Sequence, residues 1–368
     1  MKLKIINIPF LAVILSIPYS INLALAIPGE GIEFDPVSGN YAITYWEEIS
    51  DSAGNDLSGL SKATFEPATK IDPAVRSLFK LNQNWQLTYR YRLSNGYKSK
   101  QMLVRFIFEP VSDITANRPL SNSMDSSFRG KQEVFEDMTA GIESLSTPPG
   151  WDGAAVASEE GGVKISWIYA QNNYDVTKGL KPGASQNGFG FISQDLPGIG
   201  MAKLQGNVKV YGLKFSGEGL DPTSDIGMQA LQLEKNNFVP RNAAVPTIPV
   251  PDPFDAAVLL ERIQTHMHTW INKQLLDASF SSQLDRNFQS AISAYRLNQP
   301  EVGKKEIKTM RKMLKNEHAD ADKEDDDDRG AKGDDDKTKS VLIDKLAARV
   351  LDFDLKYVIK RMGGEKDD

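Results

Sequence analysis

The chain has 368 residues, 40% of them apolar and 25% charged, with a formal net charge of −6 and no cysteine. The length suits two globular domains. The acidity argues against a nucleic-acid partner, which needs a basic stripe to displace counterions. The lack of cysteine excludes disulfides, thiol nucleophiles and Cys-ligated zinc.

The N-terminus reads as a secretory signal over residues 1–26. Lys2 and Lys4 precede an apolar stretch from Ile5 to Ala26, which ends in the small-residue pattern Ala24-Leu25-Ala26. Pro9, Pro18, Asn7 and Asn22 interrupt that stretch and argue against an uncleaved membrane anchor. The expected mature protein is secreted, periplasmic or extracellular, with no membrane span after cleavage.

Residues 27–239 carry strand signals. Tyr41-Ile43-Tyr45 and Val163-Ile165-Trp167-Tyr169 alternate apolar with polar residues, as a half-buried strand requires. In "NWQLTYRYRLSNGYKSKQMLVRFIF" the residues Trp85, Leu87, Tyr89, Tyr91 and Leu93 form one apolar face. Met102, Val104, Phe106 and Phe108 form another, and Asn95-Gly96 lies between them. The pattern predicts a hairpin closed by a type I′ turn. "GFGFIS" (188–193) and "NVKVYGLKFSG" (207–217) read as further strands, the latter bulging near Gly212, and "KQEVFEDMTAGI" reads as a short helix inside a polar insertion over 113–147. Short strands with many Gly and Pro turns and few intervening helices predict an immunoglobulin-like antiparallel β-sandwich.

Most rings share faces with Leu, Val and Ile and belong to the core. Three do not. Trp46 lies on the Ala42/Thr44 face, Trp151 sits in the turn sequence "TPPGWDG", and Tyr174 sits in the polar loop "QNNYDV". These three are the candidate ligand-contact residues. The stretch from "STPPGW" to "LPGIG" resembles a loose pattern in exported bacterial β-domains of unassigned role, which implies topology and compartment but no activity.

Five prolines between 240 and 253 predict a semi-rigid spacer, with Asp252 capping a helix opened by Pro253. From residue 254 the apolar period becomes 3.6. Leu260, Ile263, Met267, Trp270 and Ile271 form one stripe. Phe280, Leu284, Phe288, Ile292 and Tyr295 form a second, and Val302, Ile307, Met310 and Leu314 a third. Leu342, Leu346, Val350, Phe353 and Ile359 form a fourth. Residues 254–368 are therefore expected to be a small four-helix bundle interrupted by an acidic loop over 319–339. The segments running from "LLERIQTHMHTW" to "RKMLKNE" and over "LIDKLAARVLDF" resemble the FIMAH-type domain of exported bacterial proteins. That resemblance implies an accessory helical module and brings over no catalytic residue.

Catalytic signals are sparse. His266 and His268 point apart on a helix, with no acidic residue three or four places away inside it. There is no G-x-S-x-G elbow and no phosphate-binding loop. Glu47-Glu48 and Glu159-Glu160 are neighbours whose side chains leave a strand on opposite faces. The tract "DADKEDDDDRGAKGDDDK" (320–337) holds ten acidic and four basic residues. As a calcium loop it offers Asp325, Asp327 and Asp336, but Arg329 stands where an oxygen ligand belongs. The preferred reading is a solvated loop, and no cofactor beyond a weak Ca²⁺ option is expected.

The expectation is thus a non-enzymatic binding or structural module at the cell envelope or outside it, with a cell-surface glycan or protein as partner. The alternatives are a hydrolase of an envelope polysaccharide or peptide, and a calcium-responsive adhesion module.

Overall fold

A computed structural model describes residues 29–48, 52–56, 58–111, 145–157, 163–169, 179–207, 209–211, 224–318 and 342–363. The expected signal segment, the helix expected within 113–147 and the bulge expected near Gly212 lie outside the described residues. The fold is β-rich, with three antiparallel sheets and five described helices. It divides into two compact units, one drawn from residues 1–65 and 210–232, the other from 66–209 and 233–368.

In the first unit, β1 (Gly31–Asp35), β2 (Asn40–Glu47), β3 (Gly59–Glu66) and β12 (Lys209–Tyr211) form one sheet in that order. Alternation along β2 buries Ile43, Tyr45 and Glu47 on one face and leaves Ala42 and Trp46 exposed on the other. Helix α1 (Asp225–Asn236) follows β12; its amide at Gly227 is capped by the Ser224 hydroxyl at 3.1 Å. Sequence periodicity did not predict this helix.

The second unit holds the other two sheets. One has the order β4 (Pro73–Leu81), β5 (Leu87–Asn95), β10 (Ser185–Ser193) and β7 (Leu145–Ser146). The other has the order β13 (Val239–Ile248), β11 (Leu196–Gly206), β6 (Leu103–Val111), β9 (Val163–Tyr169) and β8 (Trp151–Ala157). Their inner faces share one core. The Tyr91 ring on β5 lies 4.8 Å from that of Phe108 on β6, and Phe106 stacks on Trp167 at 5.1 Å. The Tyr91 hydroxyl donates to Ala244 O on β13 at 2.8 Å, so the polar tip of this buried ring is satisfied.

The hairpin expected over 85–108 does not form. Both strands exist, but β5 pairs with β4 and β10 while β6 pairs with β9 and β11. Asn95 is buried instead of lying at a turn tip. Its Nδ2 donates to Gln101 O and Leu180 O, each at 2.9 Å, and its Oδ1 accepts from Ser99 Oγ at 2.6 Å. Gly96 serves a close approach: a Cβ there would sit 2.5 Å from Asp72 Oδ2. The short segment after Asn95 carries the chain from one sheet to the other.

The spacer expected over 240–253 is also corrected, since most of it is β13. Pro240 and Pro246 sit opposite Lys203 and Pro197 of β11. Because β13 is an edge strand, proline there removes no second ladder. Helices α2 (Ala256–Asn272), α3 (Ala278–Arg296), α4 (Pro300–Glu317) and α5 (Lys345–Arg361) follow, each packing on the next, with α2 also against α5. Asp255, Asp277 and Asp344 cap α2, α3 and α5. The first of these caps lies three residues beyond the expected Asp252.

The expected stripes are mostly buried, except for Val302, which is exposed. Helix α5 is buried on more than one side, because it packs on β11 and β13 as well as on α2 and α4. At its end the Arg361 guanidinium lies 4.7 Å from both the Trp85 and Phe254 rings. Trp85 occupies the β4–β5 turn with φ +62°, a conformation costly for a bulky residue and held here by that packing.

Candidate functional site

The outward face of the first unit's sheet is built by strand register. Trp46 stands opposite Leu60, Thr44 opposite Lys62, and Ala42 opposite Thr64. On the other flank Gly31 pairs with Thr44, and Glu33 with Ala42. Trp46 is 40% exposed and Leu60 49%. The Trp46 amide donates to Glu30 Oε1 at 2.7 Å, which fixes the end of β2. Gly29, with φ +98°, lets Leu60 lie across the chain entering β1, since a Cβ would come within 2.7 Å of Leu60 Cδ1.

The result is an indole and an aliphatic side chain side by side on an open sheet, with the Thr44 hydroxyl and Lys62 ammonium one pleat away. A flat indole offers its π-face to the C–H groups of a sugar ring or to an apolar side chain, and the neighbouring polar groups supply directional bonds. On the opposite face of β2, Ile43, Tyr45 and Glu47 are buried. Ser61 Oγ donates to the buried Glu47 carboxylate, and burial together with that carboxylate raises the Tyr45 phenol pKa above its ordinary value.

The other expected contact residues are placed differently. Trp151 is only 5% exposed, with its ring edge-on to Phe189 at 4.9 Å and to Tyr169 at 5.4 Å. Burial corrects its expected contact role: it closes the end of the core, and the turn sequence that suggested exposure only brings the ring back inward. Tyr174, Asp325, Asp327, Asp336 and the Glu159-Glu160 pair lie outside the described residues. Among the described residues no group of three or more acidic or histidine side chains is placed to hold a metal.

His266 and His268 do diverge, but neither is merely hydrated. His266 Nε2 accepts the Ile199 amide at 3.0 Å, and Lys273 Nζ donates to Ile199 O at 3.0 Å. Strand β11 pairs with β6 only from Ala202 onward, so Ile199 lies on an edge that β6 has left. Helix α2 and its C-cap residue cover that edge with an acceptor and a donor, satisfying both the N–H and the C=O of Ile199. Burial, reinforced by the Lys273 charge, pushes the His266 pKa down to about 4.

His268 faces the other way. Its Nε2 lies 2.7 Å from Asp285 Oδ1 on α3, and the same oxygen accepts from Gln264 Nε2 at 2.7 Å. Gln289 then donates to Gln264 Oε1 at 2.9 Å. The sequence hid this set because the carboxylate comes from the next helix. Its neighbours are amides rather than a nucleophile, so it acts as a polar seam between α2 and α3. On α5, Asp354 is fully buried and neither oxygen has a hydrogen-bond partner among the described residues; burial raises its pKa well above the ordinary carboxylate range.

No family model matches the chain, and neither curated proteins nor solved structures yield a match. Among the described residues no helix is long and apolar enough to cross a membrane.

Proposed function

We propose that this chain is an exported, non-enzymatic binding module that contacts a cell-surface glycan through the Trp46 face. Residues 1–26 are its secretion signal. The two facing sheets of the second unit are read as an immunoglobulin-like sandwich, and α2–α5 as a four-helix accessory module of FIMAH type. Face-to-face antiparallel sheets and the successive packing of the helices support that reading.

The observation that carries the functional reading is the contrast among the tryptophans. Trp151 and Trp167 are buried, whereas Trp46 is 40% exposed beside Leu60 on an open face. A lone exposed ring is unremarkable on a protein surface, but an adjoining aromatic and aliphatic pair flanked by Thr44 and Lys62 is a built contact patch. Binding to immobilised cell-wall polysaccharide should fall about tenfold in Trp46→Ala, which corresponds to about 1.4 kcal/mol. Retention unchanged in Trp46→Ala, with the thermal midpoint also unchanged, would remove this face as the contact surface.

A further inference from the structure

The outward side of α4 is strongly basic. The helix holds six cations and three carboxylates, in a chain whose net charge is −6. Gly303, Ile307, Met310 and Leu314 face inward and are buried. Gly303 permits close approach to α3, because a Cβ there would come within 2.7 Å of the Tyr295 ring. Those anchors fix the opposite side outward.

Lys305, Lys308 and Lys312 lie on that outward side at three- and four-residue spacing, and all three are exposed. None pairs with a carboxylate among the described residues. The cations next to them are committed: Lys304 to Glu301 at 2.9 Å, and Arg311 to Asp352 at 2.8 Å. An open, shallow depression of about 360 Å³ lies beside this row of side chains, lined among the described residues by Glu301, Lys304, Lys305, Lys308, Thr309 and Lys312 of α4.

We propose that this face binds a linear acidic polysaccharide. The lining decides between classes of polyanion. Among the described residues no ring lines it, so bases find nothing there to stack on. Among the described residues no apolar side chain lines it either, so these residues offer nothing to a bilayer interior. The centre of a protein interface favours aromatic residues and arginine and is depleted in lysine. Three ammonium groups at three- and four-residue spacing form a row of point charges, which a chain carrying successive carboxylates can follow without a fixed bidentate geometry. The proposal is independent of the Trp46 face and uses the charge of α4 alone.

The test uses the full chain, so the acidic tract is present in every variant. The probe is polygalacturonate, with binding measured by calorimetry over a salt series. Wild-type affinity should weaken about tenfold between about 50 and 200 mM salt, as release of counterions by two or three cations requires. The Lys305→Gln/Lys308→Gln/Lys312→Gln triple should lose affinity about tenfold at low salt and show a slope shallower by about 2. The corresponding Lys→Arg triple should keep both affinity and slope, and Trp46→Ala should leave them unchanged. Wild-type binding retained in the glutamine triple would overturn the proposal, as would no binding of polygalacturonate at low salt. Retention on phosphatidylglycerol vesicles that the glutamine triple abolishes, without polygalacturonate binding, would reassign the face to a lipid surface.

Discussion

His266 accepts a backbone amide with a nitrogen that must stay unprotonated to do so. Its folded pKa of about 4 lies below the unfolded value near 6.5. The stability it contributes is therefore fully present above pH 6.5 and is lost as pH falls toward 4, because the unfolded chain takes up the proton first. The full loss amounts to about 3 kcal/mol. Asp354 works in the opposite sense: its raised pKa makes the folded state pay increasingly as pH rises above the ordinary carboxylate range. A wild-type profile alone therefore mixes the two. Urea unfolding of His266→Gln, which keeps an acceptor without a titrating ring, should lack the decline between pH 6.5 and 4. Parallel wild-type and variant profiles across that window would show that the imidazole does not hold the strand edge.

At the level of elements, alternation along a strand was readable, but the choice of partner was not. Residues 87–95 and 103–111 are strands, as period two requires, and Asn95-Gly96 between them is a strong local turn signal. The turn lost because the Asn95 side chain makes three hydrogen bonds in the interior, and these bonds direct the chain into the facing sheet. Asn95→Ala would strip Gln101 O of its Asn95 donor and the Ser99 hydroxyl of its acceptor, and would leave Leu180 O with only the Leu103 amide. It should cost about 2–4 kcal/mol in chemical unfolding. A cost under about 0.5 kcal/mol, the usual size of a surface substitution, would mean that the crossover is fixed elsewhere. Strand β13 teaches the same lesson from the other side: proline density reads as a spacer locally, yet an edge position accepts it. In the helices the apolar period survived at all but Val302, since a 3.6 repeat needs only one buried side.

At the scale of the whole molecule, the helices and the two sheets of residues 66–209 and 233–363 belong to one compact unit rather than to modules on a tether. Helix α5 packs on β11 and β13, Phe353 meets Phe79 edge-on at 4.9 Å, and Arg361 lies between Trp85 and Phe254. Deleting residues 254–368 would bare that apolar surface and the Ile199 edge. The truncated chain should be aggregation-prone or bind a hydrophobic dye strongly, in contrast to the full chain. A soluble, cooperatively unfolding monomer from residues 27–253 would refute the shared core.

The sequence by itself determined that residues 41–45, 87–93 and 163–169 extend and that α2 to α5 coil, that Trp46 falls on the opposite face from its apolar neighbours, and that His266 and His268 diverge. Each of these follows from the fixed rotation per residue of a strand or helix. Only the tertiary structure decided that Trp151 is buried, that β5 and β6 part company, that Asp285 meets His268 and that an edge of β11 needs a helix. Those outcomes depend on which distant backbone groups compete for the same hydrogen bonds and the same dry volume, and no local spacing encodes that competition.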